Sequence, residues 1–248
     1  MTGMIQIKGE PSTHYRSSKA ASVVDEWPPR FMKFILHFSD GAQLAFTDAR
    51  RLGRIRLAAD PLHEPPISDL GFDPLLCMPT REDFGRLVTR RKCPIKALLL
   101  DQSFSAGVGN WVADEILYHA RVHPERRCNT LTSDELDELH RQTEAVCRIA
   151  VEANADADRF PDGWLFRYRW DKGKKGVKHK MVLPSGEPAT LKWVTVGGRT
   201  SAYVEELQKP NGDKESVLTD LSDEAETTKA VPGKRKKTAA STRPRKKA

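Results

Sequence analysis

The stretch Cys93-Pro-Ile-Lys-Ala-Leu-Leu-Leu-Asp-Gln-Ser-Phe-Ser-Ala-Gly-Val-Gly-Asn-Trp-Val-Ala-Asp-Glu-Ile-Leu-Tyr-His-Ala-Arg-Val-His-Pro124 decides how the rest of the chain is read. Its pattern is helix, glycine loop, helix. Pro94 suits a first helical position, and Ile95, Leu98 and Leu99 share one face behind it. The pattern breaks from Asp101 to Gly109, where Gly107 and Gly109 permit positive φ and close backbone approach. A second helix follows from Asn110 to about Val122, with Val112, Ile116 and Leu117 inward, and His123-Pro124 ends it. Free N–H groups and the helix dipole make such a loop-to-helix junction attractive to an anion, with phosphate the natural ligand. Asn110 can cap that helix or donate a hydrogen bond, and Lys96 can reach the same anion. A glycine loop before a helix is a weak signal by itself, because most are only turns.

Outward from this stretch the chain changes character twice, which gives an α+β fold class. Thr80-Arg81-Glu82-Asp83 predicts a helix start with acids in the first turn. Thr132-x-x-Glu135 reads as a capping box, followed by an apolar stripe of Leu136, Leu139, Val146, Ile149 and Ala150. Residues 80–160 are therefore a helical domain. Residues 59–79 are proline-rich and aperiodic and read as a linker. Residues 1–58 read as strands, a partial β-sandwich: Met4 to Ile7, a hairpin from Phe31 to Thr47 turning at Ser39-Asp40-Gly41-Ala42, and Ile55 to Leu57. Residues 11–30 form a polar loop within it. Residues 161–208 return to strand, with a hairpin of Met181 to Leu183 against Leu191 to Val196 and a tight turn at Gly197-Gly198-Arg199-Thr200. Residues 209–248 carry almost no apolar content and are expected to be disordered.

The net charge of +7 is mostly a tail effect. Lys229 to Ala248 holds nine basic residues and no acid; without them 32 basic residues face 34 acidic ones. Within the body the basic clusters lie at 50–56, 90–96 and 167–180, and the acidic ones at 134–144 and 213–226. A near-neutral body with local basic strips suits a nucleic-acid binder, whose docking face alone must be positive, although solvated surface gives the same runs. No stretch approaches the ~20 apolar residues of a membrane span, and the first twenty residues contain no secretory core. Cys77, Cys93, Cys128 and Cys147 form no CxxC pair, and four cysteines in this length make no disulfide scaffold.

The opening stretch resembles the helix–two-turns–helix motif of the formamidopyrimidine-DNA glycosylases. Some thirty residues carry the likeness, including Ile95-Lys96, Leu100-Asp101-Gln102, Gly107-Val108-Gly109-Asn110, Ala113-Asp114-Glu115 and His123-Pro124. The resemblance implies that Lys96 and Asn110, with Gly109 beside them, bind phosphates flanking a lesion. Arg91 and Lys92 either add phosphate contacts or face solvent. Thr47-Asp48-Ala49-Arg50-Arg51-Leu52-Gly53 resembles the family turn that fills the space left by an everted base. Arg50 matches its arginine, and Leu52 stands where phenylalanine is usual; leucine can also wedge between bases. Met1-Thr2-Gly3 resembles the end of the family's methionine-bearing turn, which makes Met1 the third void filler. The stretch from Gly197 to Gln208 resembles the metal-free finger of plant and fungal members, so Arg199 corresponds to the arginine that grips phosphates around the damaged nucleotide.

The family's catalytic N-terminal proline, its glutamate and its hairpin lysine match no residue of this chain, so the chain is expected to be an N-terminally truncated form with no catalytic residue of its own. No zinc or other cofactor is expected, because the finger region has no cysteine and only His179. His119 and His123, four apart, read as helix surface and helix end. Trp164, Trp170 and Trp193 are either base-stacking platforms or packing for a metal-free finger. The resemblance implies a base-excision repair protein, a glycosylase and abasic-site lyase acting as a monomer on oxidised purines in damaged double-stranded DNA, without membrane contact. A non-catalytic damaged-DNA-binding relic, a clipped gene model, and an RNA-binding helix–two-turns–helix protein are the alternatives. The tail clusters Lys234 to Lys237 and Arg243 to Lys247 suggest nuclear import or a non-specific phosphate-binding arm.

Overall fold

The computed structural model describes residues 3–10, 27–173 and 181–210. Met1, most of the 11–30 loop, residues 174–180 and the basic tail lie outside these. The first sheet contains β1 (Gly3–Ile7), β2 (Met32–His37) and β3 (Gln43–Asp48). It is antiparallel in the order β1-β3-β2, with Ile5 opposite Phe46 and Leu36 opposite Leu44. Gly41, at φ +86°, closes the β2–β3 turn, where Asp40 Oδ1 accepts the Ala42 N–H at 2.9 Å. Among the described residues this region is a single sheet, not two facing layers. The short strand expected at Ile55 to Leu57 is absent: these residues pair with no strand among the described residues and stand exposed. The outer edges of β1 and β2 are not met by these residues, and a short run such as Ile55-Arg56-Leu57 makes a strand only beside a partner.

The helical body contains α1 (Arg81–Thr89), α2 (Ile95–Leu99), α3 (Asn110–His119) and α4 (Ser133–Glu152). Its helix starts follow the local signals. Thr80 caps α1 by accepting the Asp83 N–H, Pro94 precedes α2, and Thr132 and Glu135 form a reciprocal capping box at α4. The end of α3 comes earlier than Val122, because Arg121 adopts φ +58° and Val122 donates back to the Leu117 carbonyl at 3.0 Å. That is a Schellman turn without the usual glycine; the Arg121 guanidinium lies over the Tyr118 ring, 4.9 Å from its centroid. Phe84, Ile95, Leu99, Ile116, Leu117 and Leu139 are wholly or almost wholly buried in one core.

Residues 70–79 belong to this body, which corrects their assignment to a linker. Phe72 packs edge-on against Phe84 and Phe104, and Gly71 donates to the Gln102 carbonyl at 2.8 Å. A Cβ on Gly71 would overlap the Phe104 carbonyl, so only glycine allows this approach. Proline and the lack of period hid a segment that is ordered by contact rather than by secondary structure.

The last sheet is the hairpin of β4 (Leu191–Val196) and β5 (Arg199–Val204). Its two-residue turn is Gly197-Gly198, both at positive φ, as tight hairpins require. The strand partner differs from the sequence expectation. Leu191–Val196 pairs with Arg199–Val204, while Val182 bridges locally to Pro188. The two-residue turn is the shorter connection and selects that pairing. Tyr118, Leu165, Met181, Ala202 and Val204 form the hairpin's own apolar core. Trp164 is buried in the helical core and Trp193 packs on the hairpin, donating to the Arg169 carbonyl at 3.1 Å.

Candidate functional site

The glycine loop is built around Gln102. Its amide donates to the Leu100 and Val108 carbonyls, each at 3.1 Å, and its oxygen accepts the Gly107 N–H at 2.9 Å. Gly107 sits at φ +84°, so its glycine is conformational. Gly109 is different: at φ −95° any residue fits, and a Cβ there would meet no protein atom. What glycine provides at 109 is open space outside the first turn of α3. No side chain caps that turn, so its first N–H groups and the positive end of the helix dipole face this space. Asn110 does not cap the helix; its Nδ2 donates to the Thr200 carbonyl at 3.1 Å.

The hairpin reaches this point because its tip is seated on α2. Gly197 lies against Ala97, where a Cβ would stand 3.4 Å from Ala97 Cα. Arg199, at the start of β5, is exposed, and its side chain makes no hydrogen bond or ion pair among the described residues. Lys96 and Asn110, 14 positions apart in sequence, therefore donate to one backbone carbonyl, that of Thr200, the residue that follows Arg199.

Lys96 is corrected in one respect. Its ammonium is completely buried, paired with Asp114 and 3.4 Å from the Thr200 carbonyl. It cannot touch a phosphate from there. Burial pushes the Lys96 pKa down, and the charge of Asp114 opposes that fall. Asp114 also takes Arg169, with Nη2 at 2.6 Å and Nε at 3.2 Å from Oδ2, and accepts the Ala202 N–H at 3.3 Å. Two buried cations thus share one buried carboxylate. Next along α3, buried Glu115 accepts the N–H groups of Leu165 and Phe166 at 2.9 and 2.8 Å. Burial raises the Glu115 pKa despite these bonds and nearby His119. Asp114, Glu115 and Gln102 stood inside the quoted motif without a role of their own, and Arg169 was missed. Charged residues inside a helix that faces a core are the one signal that could have found the two acids.

The remaining expected contacts lie on other surfaces. Arg91 is exposed after α1. Arg50 and Leu52 are exposed on the loop after β3. That loop is shaped by buried Asp48, which accepts the Arg50 N–H at 3.1 Å and the Gly53 N–H at 2.7 Å, while Arg51 takes φ +55°. An aspartate placed to receive two N–H groups is the loop's organiser. His123 follows the end of α3 and is buried against Tyr203 of β5, with ring centroids 4.5 Å apart. Among the described residues no group of three or more His, Cys, Asp or Glu is placed to hold a metal ion, and no helix is long and apolar enough to cross a membrane. Burial pushes the Cys128 and Cys147 thiols up to about 12, which leaves them poor nucleophiles.

Residues 70–162 match the formamidopyrimidine-DNA glycosylase H2TH domain, a span that begins beside Gly71. The chain is 42% identical over 213 residues to a formamidopyrimidine-DNA glycosylase of Arabidopsis thaliana, covering 86% of this chain and 52% of that one. It is 38% identical over 213 residues to the enzyme of that name from Roseiflexus sp., covering 79% and 73%. The chain belongs to the formamidopyrimidine-DNA glycosylase family. It spans about half the length of the Arabidopsis relative and 64% of the one from Desulforamulus reducens. Among solved structures it is similar to a Lactococcus lactis Fpg mutant in complex with a Fapy-dG-containing DNA (TM-score 0.62, 21% identity, 84% of this chain and 72% of that one). It is also similar to MutM (Fpg) from Thermus thermophilus (TM-score 0.56, 28% identity, 84% and 73%).

Proposed function

We propose that this chain docks onto damaged duplex DNA as part of a base-excision repair glycosylase acting on oxidised purines or abasic sites. The Asn110 bond to the Thr200 carbonyl, which joins the uncapped start of α3 to the strand that begins with exposed Arg199, carries this reading. An exposed guanidinium, outward N–H groups and a residue without Cβ at Gly109 together suit a backbone phosphate. Arg50 and Leu52 would enter the duplex from their own loop, the leucine unstacking a step while the arginine occupies the gap.

The glycosylase and lyase steps need an amine of lowered pKa and a neighbouring carboxylate. Lys96 beside Asp114 has that chemistry, but its ammonium has no path to a sugar C1′. No nucleophile is assigned among the described residues, and borohydride is expected to trap no covalent DNA adduct with this chain. The tail is proposed to direct nuclear import; deleting residues 229–248 should abolish nuclear accumulation of a fluorescent fusion.

The docking reading is tested with a duplex carrying an abasic-site analogue. Asn110→Ala and Arg199→Ala should each weaken binding by about 1–3 kcal/mol, and Arg199→Ala should flatten the salt dependence by about one charge. Wild-type affinity in both variants would overturn it.

A further inference from the structure

β5 is an edge strand, yet each outward-facing residue of its outer edge is engaged by a side chain. In an antiparallel pair every second residue points its polar backbone groups away from its partner strand. Opposite β4, those residues of β5 are Thr200, Ala202 and Val204. Each is met by side chains instead of a third strand. Lys96 and Asn110 donate to the Thr200 carbonyl, Asp114 accepts the Ala202 N–H, and Gln208 accepts the Val204 N–H at 2.8 Å. A slip of one residue would offer Ser201 and Tyr203 in their place, whose backbone groups belong to the β4 ladder.

The cluster behind this edge is poor in stability. Buried ion pairs seldom outperform apolar packing of the same volume, and an excess cation makes this one worse. Its geometry is what distinguishes it. Asp114 lies on α3, Lys96 on α2, Arg169 after α4 and Ala202 on β5, so one carboxylate ties four segments. Buried ionic groups are best attested where they fix register.

We propose that Asp114 is a positioning residue: by holding Lys96, Arg169 and the Ala202 N–H it sets the hairpin register in which Asn110 holds the Thr200 carbonyl next to Arg199. The proposal rests on the DNA-docking reading for its purpose, but the clamp itself is testable without DNA. In the free protein, Asp114→Asn should raise the exchange rate of the Ala202 amide by at least about tenfold while α4 amides keep theirs. Arg169→Met, which leaves a balanced Lys96–Asp114 pair and so preserves the fold, should do the same. Unchanged Ala202 exchange in the folded variants overturns the clamp. With the abasic-analogue duplex, Arg169→Met and Arg199→Ala should each lower affinity by about tenfold, and the double variant by little more than either. Multiplied losses of about a hundredfold would show that the cluster does not act through Arg199. A wild-type chain that bound no duplex would overturn the docking reading, and the exchange result would still decide the clamp.

Discussion

The three-stranded sheet and the helical body with its hairpin are built to different standards. In the body, Phe84, Ile95, Leu99, Ile116 and Leu139 have no exposed surface, and the buried charges Asp114 and Glu115 are met by hydrogen bonds. In the sheet only Ala45 among the apolar residues is fully buried, while Ile5 is 63% exposed and Ile7, Leu36 and Phe38 are each 48% exposed. Three strands with one uncovered apolar face have little to stabilise them. The body carries enough core to hold its site rigid; the sheet carries the Arg50 loop on a weaker support. The proposed phosphate grip would tolerate little slack, and its residues lie on the better-buried part of the chain.

The largest effect that could break this comparison is in core truncation. Leu139→Ala should cost about 2–5 kcal/mol in urea unfolding, and Ile5→Ala less than about 0.5 kcal/mol. Equal losses would mean that the sheet is as well packed as the helices. Next come the two glycines of the body. Gly71→Ala should cost about 1–3 kcal/mol, because the chain must move off the Phe104 carbonyl. Gly109→Ala should cost under about 1 kcal/mol in melting, yet weaken binding to the abasic-analogue duplex; a parallel fall in both would place its role in folding instead.

A smaller effect follows from His123. Burial lowers its pKa, opposed by Glu125 and reinforced by Arg126. The unfolded chain then binds a proton at higher pH than the folded one. Stability present above about pH 6.5 should be lost as pH falls from there through the lower folded value. Melting at pH 7 and pH 5 should show this loss, and His123→Asn, which keeps an acceptor for the Glu125 N–H, should shrink it. Smallest of all, Ile55→Ser and Leu57→Ser should leave the melting temperature unchanged and reduce binding of a hydrophobic dye. A clear destabilisation would show that these residues are covered in solution.

By itself the sequence determined the helix starts, the loop between α2 and α3, and the turn at Gly197-Gly198. Those signals are local: Thr80 and Thr132 each cap an N–H three residues away, and Gly107 needs only its own φ. The Arg50 turn was legible for the same reason, and the tight spacing of its residues is where the family likeness showed. The fate of Lys96 was decided elsewhere. Its partners are 18 and 104 positions distant, so nothing near it in the chain distinguishes an exposed phosphate ligand from a buried ion. Asp114 meets Arg169 and Ala202 from 55 and 88 positions away. Likewise Phe72 becomes core only because Phe84 and Phe104 come to it, and Ile55 stays exposed because no strand does. Conformation over a few residues is set by their own chemistry, whereas burial, and with it the work a charge can do, is set by whatever the fold brings alongside.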